Sequence, residues 1–326
     1  MTDKIRWGVL GTGHIAREFA KALRSLDDAD IVAVGSRART TANAFADAFA
    51  ITRRHASYAA LADDPGVDIV YVATPHALHR DNSIRCLEGG KAVLCEKPFA
   101  INRRQAEEVF RVAAKCNRFI MEAMWMRFIP AVRQAMAWIA EGAIGDVRMV
   151  QASFGFRDDA ENLFNPDLGG GSLLDVGIYP ITLAHMAFGR PPTEIRSLAA
   201  LGRNGVDEQA GMVLGFDNGG LAVLASAIQT NTPHDASIMG TDGMITLHDS
   251  FWNATRVSLQ REGAERLTRS FPLRCNGYEY EAEEAQTCLR AGRLESSTVP
   301  HRATLEIMST MDTLRAQWGL QYPMEI

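Results

Sequence analysis

The chain has 326 residues, 47% of them hydrophobic and 22% charged, with a formal net charge of −5. At ~150 residues per domain, that length accommodates two domains of ordinary globular composition. The acidic balance disfavours nucleic acid and acidic membrane surfaces as partners. No apolar run reaches the ~18 residues of a membrane span, and Met1-Thr2-Asp3-Lys4 does not open a signal peptide.

In chain order, Ile5–Leu10 reads as a buried strand followed by a helix from about His14 to Ser25. Ile31–Val34 is the next strand, with a helical stretch from Arg39 to Ala50. Further strands are expected at Ile69–Ala73, ending in Thr74-Pro75, and at Ala92–Cys95, ending in Glu96-Lys97-Pro98. Short apolar strands alternating with helical patterns imply right-handed βαβ units, and hence a doubly wound parallel sheet. After about Met121 the pattern changes. A helix over Pro130–Ala140 precedes strands at Val147–Phe156, Gln209–Phe216, Leu221–Gln229 and Met244–His248. Asn218-Gly219 and Asp242-Gly243 provide the positive-φ residues of tight hairpins, so the second sheet is expected to be large, open and mostly antiparallel. Amphipathic stretches at Glu279–Ala291 and Thr304–Trp318 close the chain. The expected fold is α/β: a Rossmann domain over 1–122 and an α+β domain over 123–326.

Gly11-Thr12-Gly13-His14-Ile15-Ala16 fits GxGxxA between the first strand and the first helix. Gly11 permits the tight turn, Gly13 lets the backbone approach a pyrophosphate, and Ala16 is small enough for helix–sheet packing. The helix N-terminus then presents unpaired N–H groups, including those near His14 and Ile15, to phosphate. The second strand ends in Gly35-Ser36-Arg37, where an NAD site usually carries a carboxylate for the ribose 2′-hydroxyl. Ser36 can donate to a 2′-phosphate and Arg37 can pair with it, which points to NADP, with NAD bound more weakly. Cys86, Cys95, Cys116, Cys275 and Cys288 are scattered without CxxC spacing. That usage suits free thiols in a reducing, cytoplasmic setting. The histidines lack metal-ligand spacing, and no metal is expected.

Glu96-Lys97-Pro98 resembles a segment of the glucose–fructose oxidoreductase/inositol dehydrogenase/MocA family. Two further segments, MEAMWMRFIP at 121–130 and GGGSLLDVGIYP at 169–180, are similar to its dimeric dihydrodiol dehydrogenase branch, which includes NADP-dependent D-xylose dehydrogenases. The resemblance spans nearly the whole chain. It implies that Thr74, Pro75, His76 and Arg127 lie near the cofactor, that Glu96 accepts hydrogen bonds from the nicotinamide ribose, and that Lys97 reaches the reacting oxygen. Many relatives carry a histidine where this chain has Tyr179, a departure that disfavours an ordinary inositol dehydrogenase. Asp175, one turn earlier, is expected to face the same pocket, and His76, Trp125, Arg148, Phe154 and Tyr278 match positions lining the substrate site. Relatives pair through the second sheet, which implies a homodimer or a higher homo-oligomer.

Alcohol oxidation removes a hydride from carbon and a proton from the hydroxyl. A phenol with a reference pKa of ~10 needs a neighbouring ammonium before it acts as a base near neutrality. Tyr179 with Lys97 supplies such a pair, although lysine itself is an equal candidate for the proton. The expected substrate is a neutral aldopyranose or a cyclic diol. A reductase of aldosulose or anhydro-sugar substrates, an inositol dehydrogenase and an NADPH-sensing regulatory protein are the alternatives. The Lys97, Asp175 and Tyr179 set argues against a sensor, which has no need of it.

Overall fold

A computed structural model describes residues 4–325. The chain divides into two compact units, Met1–Trp125 with Arg274–Leu305 and Met126–Leu273 with Glu306–Ile326.

The first unit alternates strand and helix: β1 (Ile5–Leu10), α1 (His14–Arg24), β2 (Ala29–Gly35), α2 (Arg39–Phe49), β3 (Arg53–His55) and α3 (Tyr58–Ala62). It continues with β4 (Ile69–Val72), α4 (His79–Glu88), β5 (Ala92–Glu96), α5 (Arg103–Cys116) and β6 (Ile120–Ala123). The strands form one sheet in the order β3-β2-β1-β4-β5-β6, and every neighbouring pair is parallel. Parallel strands covered on both faces must be apolar throughout. All four residues of β4 are accordingly buried, as are all five of β5. The strand order reverses at β1, and ligands of such sheets bind beyond the strand C-termini at that switch point.

The second unit contains α6 (Pro130–Ala140), β7 (Val147–Gly155) and α7 (Ile178–Phe188), then β8 (Glu194–Leu201), β9 (Asp207–Gly215), β10 (Leu221–Ala227) and β11 (Ala236–Gly240). After these come β12 (Gly243–Leu247), β13 (Arg256–Arg261) and β14 (Leu267–Ser270). The chain closes with α8 (Glu279–Arg290), which belongs to the first unit, and α9 (His301–Trp318), whose residues fall in both. The sheet order is β14-β13-β12-β11-β7-β10-β9-β8. Its neighbours are antiparallel except for β7 and β10, which run parallel. Ala222 and Leu224 of β10, with Met212 and Leu214 of β9, are buried, whereas Val213, Leu221 and Val223 are more than 40% exposed. Period-2 alternation thus separates a covered face from an open one. Among the described residues, no helix is long and apolar enough to cross a membrane.

Candidate active site

Each strand of the first unit that borders the switch point delivers site residues just past its C-terminus. After β1, Gly11 has φ +110, and a Cβ there would collide with the Ala73 carbonyl oxygen, so only glycine fits. Gly13 differs: space is open where its Cβ would stand, and as the N-cap of α1 it provides no side-chain cap. The first-turn N–H groups at His14 and Ile15 are therefore left for an anion. Thr12 and Ile15 are half-buried beside them. After β2, the Ser36 and Thr41 hydroxyls share a hydrogen bond of 2.6 Å. Exposed Arg37 stands near Tyr58, whose phenol pKa is raised by burial against the pull of that guanidinium. Arg39 instead donates to the Arg54 carbonyl at 2.5 Å. An open glycine, an uncapped helix N-terminus and a hydroxyl–guanidinium pair fit a dinucleotide carrying phosphate at its ribose.

Beyond β4 and β5, two loops are tied together through one side chain. His79 is fully buried, with Nε2 2.8 Å from the Thr74 carbonyl and Nδ1 2.8 Å from the Pro98 carbonyl. Burial pushes its pKa down to about 3, leaving one N–H for two carbonyl oxygens. Asn82 Nδ2 donates to Thr74 Oγ1 at 3.2 Å, and half-buried Pro75 and His76 follow, the His76 ring edge-on to His79 at 5.7 Å. Half-buried Lys97 stands next to Glu96, which is only 5% exposed. Glu96 accepts the Tyr71 phenol through Oε1 and the Lys97 backbone N–H through Oε2 at 3.0 Å. Burial raises its pKa, and the Lys97 ammonium opposes the rise.

Two more buried carboxyls lie close by. Glu122 of β6 accepts the Phe99 N–H at 3.1 Å and the Thr304 hydroxyl at 2.8 Å. Glu281 of α8 is fully buried, and neither carboxyl oxygen has a hydrogen-bond partner among the described residues. Burial, then repulsion from Glu96 and Glu122, holds the Glu281 pKa above the usual carboxyl range and so favours its neutral form. Trp125 and Tyr278 stack on each other with centroids 4.2 Å apart.

The second unit places Asp175 and Tyr179 one turn apart. Residues Leu173–Gly177 form a π turn that runs directly into α7. Such widened turns occur often at functional sites. Asp175 is half-buried and Tyr179 is 5% exposed. Beside Tyr179 lies an aromatic plate. Phe154, at the end of β7, stacks on Trp252 with centroids 3.5 Å apart and planes 6° from parallel. The Tyr179 ring is 5.6 Å from Phe154 and 6.3 Å from Trp252. His234 meets both Phe154 and Trp252 edge-on and lies 2.8 Å from the Gly155 carbonyl through Nε2.

The structure thus brings Phe154 and Tyr179 together, but Arg148 does not join them. Six residues earlier on β7, about 20 Å at 3.3 Å per residue, its guanidinium donates to the Asn218 carbonyl at 2.7 Å. Arg127 also lies in the second unit, close enough to His185 to reinforce the lowering of that ring's pKa by burial. Sequence reasoning missed Tyr58, His79, Trp252 and His234. Each acts through a partner distant in sequence, and only the Phe251-Trp252 aromatic pair inside a loop offered a local signal.

Residues 5–124 match a family described as an oxidoreductase family with an NAD-binding Rossmann fold. Residues 132–246 match the GFO/IDH/MocA C-terminal domain. The chain is 35% identical to the trans-1,2-dihydrobenzene-1,2-diol dehydrogenase of Xenopus tropicalis, covering 98% of this chain and 99% of the relative. The Homo sapiens protein of the same name is 32% identical, with the same coverage. Among solved structures, an aldose-aldose oxidoreductase from Caulobacter crescentus complexed with glycerol has a TM-score of 0.89 at 26% identity, covering 97% of this chain and 98% of that one. A 3-ketoreductase from Actinomadura kijaniata in complex with NADP and TDP-benzene has a TM-score of 0.87 at 28% identity, covering 96% and 98%. The chain therefore belongs to the glucose–fructose oxidoreductase/inositol dehydrogenase/MocA family of oxidoreductases.

Proposed function

We propose that the protein is an NADP-dependent dehydrogenase of neutral sugars or cyclic diols, oxidising an aldopyranose such as D-xylose or D-glucose at C1 or a vicinal diol at one carbinol. The observation that carries this is the Phe154–Trp252 plate with the Tyr179 phenol beside it. A flat aromatic face covers the apolar C–H side of a ring, and polar groups at its margin select hydroxyls. The names of the relatives point the same way: one group acts on dihydrobenzene diols, and one structural neighbour acts on aldoses.

When bound, the nicotinamide supplies the hydride acceptor. The protein's own tasks are then orientation and proton handling. The uncapped N-terminus of α1 and the Ser36–Arg37 pair bind the phosphates. Glu96 takes ribose hydroxyls, and Thr74, Pro75 and His76 line the cofactor and the substrate beside it. Lys97 and Tyr179 carry the substrate proton, with Asp175 orienting a hydroxyl. Trp125 and Tyr278 provide a second stacked surface for substrate. The same groups serve ketone reduction in reverse, and the likeness to a 3-ketoreductase favours including that direction in the assay. The five thiols, all free, fit a reducing cytoplasm, and a second copy of the chain covers the open face of the large sheet.

The test is kcat/KM with NADP and NAD across aldopyranoses, inositols, trans-cyclic diols, sugar acids and phosphosugars, with NADPH oxidation by the matching ketones in parallel. Neutral sugars or diols are expected to lead. A preference of about tenfold or more for a phosphorylated or carboxylated sugar, 1.4 kcal/mol in the other direction, would overturn the proposal.

A further inference from the structure

The π turn that carries Asp175 is not capped by its own sequence. Ser172, at its N-cap, makes no side-chain cap bond. Its hydroxyl donates instead to Asp207 Oδ2 at 2.7 Å and shares a 2.9 Å hydrogen bond with Ser226 Oγ of β10. The same Asp207 oxygen accepts the Leu173 N–H, the first of the turn, at 2.6 Å. Asp207 is the first residue of β9, 34 positions further along the chain and fully buried. A carboxylate at a helix N-terminus meets both the orphan N–H and the positive end of the dipole.

The surroundings are shaped to admit this carboxylate. Its second oxygen, Oδ1, has no hydrogen-bond partner among the described residues and would collide with a Cβ on Gly171. Gly171 has φ +115, so the preceding glycine is required twice, for conformation and for space. The Tyr322 phenol donates to the neighbouring Gly170 carbonyl at 2.5 Å. Arg315, itself paired with Glu325 at 2.6 Å and Asp312 at 2.9 Å, is the cation near enough to act on Asp207. Tyr322 is the other titratable group facing it. A buried carboxylate with one unpaired oxygen weakens a fold, and such groups are retained where a site depends on them.

We propose that Asp207 is a positioning residue: from the sheet it fixes the N-terminus of the π turn, and thereby the placement of Asp175 and Tyr179. This rests on the assignment of Tyr179 to proton handling. Burial raises Asp207 to about 6, against the hydrogen bonds from Ser172 and Leu173, so the charged cap is lost on mild acidification.

The experiment compares wild type, Asp207→Asn, Tyr179→Phe and the double variant by kcat, KM, pH profile and amide hydrogen exchange over 173–177. Asp207→Asn should lower kcat by about ten- to a hundredfold, the cost of a small misplacement of reacting groups, with KM for NADP nearly unchanged. The acid limb near pH 6 should vanish from its profile, exchange over 173–177 should rise, and the further loss in the Tyr179→Phe background should be much smaller than in the wild type. Ser172→Ala should act in the same direction, more weakly, and serves if the Asn variant does not fold. A full, additive loss in the double variant would overturn the proposal. So would unchanged exchange in Asp207→Asn while Tyr179→Phe remains impaired. Wild-type kcat in Tyr179→Phe would instead defeat the proton role of Tyr179, and the catalytic part of this proposal with it.

Discussion

Lys97 and Tyr179 reach their positions by different local devices, one at the mouth of a parallel strand and the other in the first turn of the helix that continues a π turn. If both handle the substrate proton, Lys97→Met and Tyr179→Phe should each lower kcat by about 10²–10⁴-fold, the range for a positioned acid or base. NADPH affinity, measured by fluorescence titration, should change far less. Near-normal kcat in Tyr179→Phe would leave the proton to Lys97. Arg37 invites a second test, because its guanidinium is exposed at the end of β2, near Tyr58. A hydrogen bond to a charged group is worth ~1.5–3 kcal/mol, so Arg37→Ala should weaken NADP by roughly ten- to a hundredfold and NAD barely. Equal losses for both cofactors would show that Arg37 does not read the phosphate. At this scale the sequence was legible where one short segment holds a whole device, as in Gly11-Thr12-Gly13 or Glu96-Lys97. It was not legible for His79, which bridges two carbonyls brought near only by folding.

At the level of elements, period and turn chemistry located β1, β2, β4 and β5 of the first sheet and β7, β9, β10 and β12 of the second, with the turns at Asn218-Gly219 and Asp242-Gly243, but not β11, which lies between β12 and β7. Helix α7 escaped because ten of its eleven residues are buried, which erases the amphipathic period. Strand β14 escaped for the opposite reason, every residue being exposed. No pattern in the sequence announces that β5, β6 and α8 each contribute a carboxyl to one buried layer. That layer sets a pH dependence. Glu96 and Glu281 have folded pKa values above their unfolded ones, so between the ordinary carboxyl range and neutrality the folded chain holds more protons than the unfolded chain. Stability therefore falls as pH rises through that window. Glu281→Gln cannot ionise on unfolding, so thermal melts should show a flatter pH profile, with Tm at pH 8 raised by roughly 2–4 °C for each kcal/mol recovered. Equal Tm shifts at pH 4.5 and pH 8 would show that Glu281 is not the titrating group.

Over the whole molecule, the alternation that made the second sheet legible also leaves a surface to explain. On the open face, Leu198 is 83% exposed, Val213 41%, and Leu221 and Val223 42% each. Val213 pairs directly with Val223, and Leu198 with Gly211, which in turn pairs with Ala225, so the exposed apolar groups form adjoining rows across β8, β9 and β10. Apolar patches of that kind on a sheet mark interaction surfaces, and sequence alone gave only the hint of consecutive apolar residues in Leu221–Ala225. The occupant proposed here is a second copy, because a closed twofold interface covers the same patch on both chains and leaves none exposed. Symmetry then makes a single charge act twice: Val223→Asp would bury a carboxylate in each half of the interface, without a partner. Light scattering at micromolar concentration should give about twice the 35.7 kDa chain mass for the wild type and the single-chain mass for Val223→Asp. Because Val223 faces away from the covered side, the variant should keep its cooperative melt. A wild-type mass of 35.7 kDa would leave the face to some other partner.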